Sequence, residues 1–185
     1  VQGNGMATWS PVDGRVSALG NGLSSAPRAM LALEDGSVLF AGAFPSAGNL
    51  HTGGIVRWNP QTREYTDVGA QGLVDVGELI RLRNGDILAG GLLRAGGAGV
   101  CRWNRQVNSW DPVVQPWPTP QGATFFNMRL AETGDGSLVA WTPAGLYSMG
   151  TGETQWRRGP MFGLPQAGGA LLADGLPKRG VGWLE

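Results

Sequence analysis

Charge is scarce in this chain. Asp, Glu, Lys and Arg supply 15% of its 185 residues and cancel to a formal net charge of zero. A protein that grips a phosphate backbone needs a basic patch, so nucleic acid is excluded as a partner. Long apolar runs are missing too. None approaches the roughly 18 residues that cross a bilayer as a helix, and no membrane span is expected. Cysteine occurs once, at Cys101, which rules out an internal disulfide. Lying in an apolar run, it is expected to pack as a small core residue. Histidine also occurs once, at His51, and one His with one Cys cannot build a four-ligand zinc site. The "GDG" of residues 134–136 is too short to supply the several oxygen ligands that calcium takes. No metal and no other cofactor is expected. There is one lysine, Lys178, and so little charge suits an extracellular or surface-displayed protein. The chain opens on Val1 with no leader-like segment, as a processed product or an excised piece would.

Glycine is what the chain has in excess. It holds 32 of the 185 positions, about 17% against a usual share of roughly 7%. Eight Trp and five Phe provide apolar surface that offsets the entropy of ordering. The glycines punctuate apolar runs, as they do in a protein of short strands and many turns.

Two patterns recur independently. "MATWSPVDGRVSALG" (6–20), "IVRWNPQTREYTDVG" (55–69) and "VCRWNRQVNSWDPVV" (100–114) align with Trp9, Trp58 and Trp103 in fourth place. "LYSMGTGETQWRRG" (146–159) puts Met149 there, and the steps are 49, 45 and 46 residues. Val16, Tyr65, Trp110 and Trp156 share the eleventh place. A near-constant period with apolar residues at matched positions marks a repeat architecture. The second pattern is Asp35-Gly36, Asn84-Gly85, Asp135-Gly136 and Asp174-Gly175, the first three flanked by apolar runs. Such pairs supply the positive φ angles of tight hairpin turns. Each is read as a hairpin of strands a and b. The Trp segments form a second hairpin, strands c and d, turning at "SPVDG", "NPQT" and "RQVN".

The resulting order is a c-d hairpin in 1–20, a-b-c-d units in 27–69, 75–115 and 125–159, and an a-b hairpin in 167–185, all in one domain over 1–185. Strands such as "VLFAGAF" and "ILAGGLL" are apolar on both faces, so each sheet must be covered on both sides. Radial stacking achieves this. The fold class expected is therefore all-β: a β-propeller of four-stranded antiparallel blades, about four in number. The last a-b hairpin completes the first c-d hairpin, or the chain is part of a larger ring. Trp9, Trp58 and Trp103 are expected between blades.

The stretch "NGDILAGGLLRAGGAGVCRWNRQVNSWDPV" (84–113) resembles a kelch repeat: a Gly turn, an apolar strand ending in Gly90-Gly91, a loop, an aromatic at 103, a polar turn and Trp110. "DGSVLFAGAFPSAGNLHTGGIVRWNPQTREYTDV" (35–68) is similar, with Ala41-Gly42 for the double glycine and Tyr65 for the second Trp. Both also resemble bacterial extracellular propeller repeats. The third unit, with "LVAWTP", lacks the double glycine. The resemblance spans residues 6–159 and implies a β-propeller, a scaffold that hosts many chemistries.

One of those chemistries is excluded by residue counts, and a second is disfavoured by where its residues fall. A copper radical oxidase of the kelch-like kind needs two Tyr, two His and a Cys; this chain has one His, one Cys and two Tyr. A sialidase needs an arginine cluster, but Arg57 and Arg102 precede the repeated Trp at equivalent places, which marks them as scaffold, with a guanidinium stacked on a neighbouring ring. "SPVDGRVSAL" departs from the sialidase Asp-box spacing. No catalytic residue is assigned.

In an up-and-down blade the a-b and c-d turns lie at one end, the b-c and d-a connections at the other. The short turns here are a-b and c-d. The long, irregular stretches "PSAGNLHTGG" (45–54), "GAQGLVDV" (69–76) and "QPWPTPQGAT" (115–124) all fall at the opposite end. Loops on a rigid scaffold are where binding concentrates, which points to Asn49, His51, Gln71, Arg94, Trp117 and Gln121 as the binding surface. Trp117, held between prolines, stacks on a sugar ring, anchors a partner, or caps the core. The function expected is non-enzymatic: binding a protein or glycan partner, or assembly, homo-oligomers included. The alternatives are a fragment of a carbohydrate-active enzyme, with acids drawn from Asp75, Glu78, Asp111 or Glu132, and a purely structural assembly subunit.

Overall fold

A computed structural model describes residues 6–70, 72–113, 128–142 and 145–159. Among them every regular element is a strand. A two-stranded sheet, β1 (Ala7–Trp9) and β2 (Val16–Ala18), comes first. Three four-stranded antiparallel sheets follow, here called modules. The first is β3 (Pro27–Ala32), β4 (Val38–Gly42), β7 (Ile55–Asn59) and β8 (Glu64–Asp67). A small hairpin, β5 (Ser46–Ala47) and β6 (Leu50–His51), interrupts it between β4 and β7. The second is β9 (Leu73–Arg81), β10 (Ile87–Leu93), β11 (Ala98–Asn104) and β12 (Ser109–Pro112). The third is β13 (Arg129–Glu132), β14 (Leu138–Thr142), β15 (Gly145–Met149) and β16 (Arg157–Arg158). Strand order within each module follows the chain, and none of the sheets closes on itself. The a-b hairpin expected in 167–185 lies outside the described residues.

The hairpin turns reveal how the Asp/Asn-Gly pairs work. Only the glycine has positive φ: 80° at Gly36, 87° at Gly85 and 82° at Gly136. Each turn is a three-residue loop closed by two backbone bonds. Gly36 N donates to the Leu33 carbonyl at 3.0 Å, and Leu33 N to that of Ser37 at 2.7 Å. Leu82, Gly85 and Asp86 repeat the pattern, as do Thr133, Gly136 and Ser137. The residue before the glycine stays in ordinary φ and accepts a backbone bond instead: Asp35 Oδ1 from Ser37 N at 3.0 Å, Asn84 Oδ1 from Asp86 N at 2.9 Å, Asp135 Oδ1 from Ser137 N at 3.0 Å. This is the three-residue hairpin with a glycine bulge, in place of a two-residue turn needing positive φ at both centres. The hydroxyls of Ser37 and Thr133, each bonded to its carboxylate, are the first cause of the lowered pKa of Asp35 and Asp135, joined by the backbone bonds.

Alternation at period two delivers successive side chains to opposite neighbours. On β4, Leu39 and Ala41 join the core shared with the second module, while Val38 and Phe40 face the other way, with Leu19 and Leu23. On β10, Ile87 and Ala89 face the first module and Leu88 the third. The second module is thus covered on both faces. Its double glycine answers to that crowding. A Cβ at Gly90 would meet Met128 Sδ, with Leu130 Cδ1 at 3.0 Å, both in the third module; one at Gly91 would meet the β9 backbone at Asp75 and Val76. Opposite the glycines β9 is bulged twice, at Gly90/Gly91 and Leu92/Leu93. Cys101 is buried in the first shared core; burial, then the charge of Asp111, raises its thiol pKa to about 11.

Three expectations are corrected. Trp58 is buried at 4% exposure and Trp103 packs partly buried, but Trp9 is 66% exposed and Val16 53%. The stretch 45–54 is an ordered hairpin, and the connection at 69–76 is shorter than read because β9 begins at Leu73. Among the described residues neither Arg57 nor Arg102 stacks on a ring. Arg57 pairs with Asp35 and donates from Nε to Ser37 Oγ at 2.8 Å, and Arg102 lies 3.4 Å from Asp86. Each ties its c strand to the a-b turn beside it. The guanidinium over Trp103 belongs to Arg105, 5.2 Å from the ring centroid.

Candidate binding surfaces

The loop end of the first module is built on the β5–β6 hairpin. Its foot is fixed to the segment before β3 by an isolated bridge between Leu23 and Ala47 and by Ser24 N donating to the Ser46 carbonyl at 3.0 Å. Gly48 N donates to Gly22 O at 2.9 Å. Buried Thr52 holds the other side, its hydroxyl on the Phe44 carbonyl at 2.8 Å. Phe44 and Ala47 lie buried beneath. The hairpin therefore holds Asn49, in its turn, and exposed His51, opposite Ser46, on a packed base. Arg94 opens the turn between β10 and β11, and its backbone N donates to Gly72 O at 2.8 Å. Asn49 and His51 share one hairpin, and Arg94 stands on the corresponding turn of the next module, at the same end of the strands. Gln71, Trp117 and Gln121 lie outside the described residues.

The acids considered for catalysis are engaged elsewhere. Asp75 pairs with Arg28, and Glu78 with Arg129 at 3.0 Å. Glu132 accepts from Arg83 N at 2.8 Å, and Asp111 from Ser109 Oγ at 2.9 Å. Burial is the main cause that raises the pKa of Glu78, opposed by the Arg129 charge. Most of these contacts bridge the first strands of successive modules. Arg81 adds another, 2.8 Å from Glu34 and 2.7 Å from the Ala32 carbonyl, and Arg83 Nη1 reaches Gly134 O at 2.8 Å. The partners stand 47 to 51 residues apart, which is one repeat. Sequence reading missed this ladder. Its signal was there: Glu78 and Arg129 occupy the same place in neighbouring repeats with opposite charge.

A recess of about 830 Å³ opens at the other, short-turn end, lined among others by Glu34, Asp86, Arg102, Trp103, Arg105 and Asp111. Trp103 is stacked against Trp110 at 5.8 Å, with Arg105 over its ring. Cation and indole therefore shield each other, and the recess is a polar groove at a junction of turns. Among the described residues no three His, Cys, Asp or Glu side chains gather as metal ligands, and no helix is long and apolar enough to cross a membrane.

No family model and no curated protein matches the chain. Solved structures do. The extracellular domain of BT4673 from B. thetaiotaomicron, assigned to a hybrid two component system, aligns with a TM-score of 0.58 at 14% identity over 84% of this chain and 19% of its own. PorZ, an essential surface component of the type-IX secretion system of Porphyromonas gingivalis, aligns with a TM-score of 0.52 at 20% identity over 81% of this chain and 22% of its own. The likeness is one of fold. This chain spans about a fifth of the length of either protein.

Proposed function

We propose that this chain is a non-enzymatic recognition module of an extracellular or surface protein, built as a run of kelch-like propeller blades within a larger ring. It meets a protein or glycan partner at the loop end carrying Asn49, His51 and Arg94. The observation that carries this reading is the contrast between the acids and the loop end. Asp75, Glu78 and Glu132, three of the four acids considered for catalysis, are spent on joining modules, which takes them away from acid–base work. Asn49 and His51, by contrast, stand on a hairpin anchored at its base. Placement outside the cell is supported by the two fold neighbours, one an extracellular domain and one a surface component.

The test is a glycan array together with biosensor measurements against purified envelope proteins of the source organism, run on the chain and on an Asn49→Ala/His51→Ala/Arg94→Ala variant. Binding that the triple variant weakens tenfold or more is expected. Cleavage of an arrayed glycan, or binding untouched by the variant, would overturn the proposal. Protease added to intact cells should digest the protein.

A further inference from the structure

Each complete module turns the same pair of positions toward the module before it: Trp58 and Tyr65, then Trp103 and Trp110, then Met149 and Trp156. The first pair rests on a corner formed by Leu19 and Gly20. A Cβ on Gly20 would stand 3.0 Å from Trp58 Cζ3, and the Tyr65 hydroxyl donates to the Leu19 carbonyl at 2.7 Å. The second module closes on the equivalent corner, Val68 and Gly69. Val68 shares a core with Trp103 and Trp110, and a Cβ on Gly69 would run into the Asn108 backbone. Both corner glycines have positive φ, 56° and 69°.

The β1–β2 sheet carries the same pair, Trp9 directly opposite Val16, and both side chains are exposed. Among the described residues its edge is open as well: the c strands β7, β11 and β15 each lie between a b and a d strand, whereas β1 pairs with β2 alone. The far side of the stack differs. Where the first two modules place the small residues Ala41 and Gly90 against their successors, the third has the bulky indole of Trp141.

We propose that the β1–β2 sheet is the docking surface for a further module of this same repeat, whose b strand pairs with β1 and whose predecessor seats an apolar-glycine corner on Trp9 and Val16. The surface continues an interface already formed twice along the chain. A second copy does not supply the occupant. Its Leu19-Gly20 and Val68-Gly69 corners are taken, and the matching sequence positions of its third repeat are Gly159 and Pro160 in place of an apolar residue and a glycine. The inference rests on the larger-ring part of the proposed function and deepens it, and it is independent of the loop-end reading, whose failure would leave it intact.

One period separates Met6 from Ile55, so residues 6–54 fused ahead of Met6 supply both a-b strands for β1 and a Leu19-Gly20 corner. In the unfused 185-residue chain Trp9→Ala should leave the urea midpoint unchanged; in the fusion the same substitution in the second copy of the segment should lower it clearly. No difference between the two would overturn the proposal. A second measurement needs no fusion. Hydroxyl-radical footprinting of the unfused 185-residue chain should oxidise Trp9 at least tenfold faster than Trp58, and sedimentation should show a monomer. A Trp9 as protected as Trp58, or a dimer that Trp9→Asp dissociates, would overturn it.

Discussion

Trp58 and Trp9 hold the same place in the repeat, and one is buried at 4% exposure while the other is open at 66%. Their cross-strand partners differ in the same way. Tyr65 sits 4.7 Å from Trp58 ring to ring and bonds to Leu19, while Val16 lies beside Trp9 in solvent. Strand, turn and facing direction are common to the two sites. What separates them is the neighbour: Trp58 has β4 on one side and the Gly20 corner above it, and among the described residues Trp9 has neither. A repeat position therefore fixes where a side chain points, and the stack decides whether pointing there buries it.

The sharpest break of this comparison is a pair of truncations. Trp58→Ala should cost about 3–5 kcal/mol, as large buried aromatics do, and Trp9→Ala less than about 0.5 kcal/mol, as at an open surface, both read by urea denaturation. Equal costs would mean that the two environments are alike. Next in size is the gap between sheets. Gly90→Val should lose about 1–3 kcal/mol or more through overpacking against Met128 and Leu130. Gly134→Ala, with no atom within 4 Å of its Cβ, should stay within about 0.5 kcal/mol. Third are the ion pairs. Arg28→Ala leaves the Asp75 carboxylate, its side chain 11% exposed, without that partner; part-exposure of Arg28 brings the expected loss to about 1–2 kcal/mol. Arg81→Ala, facing a Glu34 side chain that is 81% exposed, should lose under about 1 kcal/mol.

The smallest effects are in pH, and their signs differ. The pKa of Glu78 is raised on folding, chiefly by burial. Its ionisation therefore opposes the fold once the pH rises through that value. Glu78→Gln should gain on the parent at pH 7, and the gain should vanish below the unfolded carboxylate pKa. Asp135 has its pKa lowered by Thr133 and Ser137. It stabilises above the unfolded value and ceases to do so as the pH falls through the folded one. Asp135→Asn should lose stability at pH 7 and match the parent in strong acid. Urea midpoints across pH 2–7 check both.

Much of the fold was legible. The Trp segments and the first three Asp/Asn-Gly pairs located the hairpins of the described residues because side-chain alternation and turn φ angles are local properties. The turn type was not legible, since Asp-Gly serves two-residue and three-residue loops alike and the choice lies in which carbonyl the glycine N–H reaches. The β5–β6 hairpin escaped because two-residue strands carry no periodic signal and this one is held by Ser24, Leu23 and Thr52 from outside itself. The Arg57 and Arg102 pairings were misread because the sequence showed the aromatic next door and not the turn acid folded back beside each cation. Of the candidate surface, the order of turns assigned Asn49, His51 and Arg94 to one end of the strands.

By itself the sequence determined the strand order, the hairpins, the period and the need of each sheet for cover on two sides, because these follow from φ preferences and from alternation along one strand. Tertiary structure decided which of the repeated aromatics are core, which acids are spent in cross-module pairs and where the glycines are indispensable. Those outcomes depend on the distance between sheets one repeat apart, and no local pattern encodes that distance.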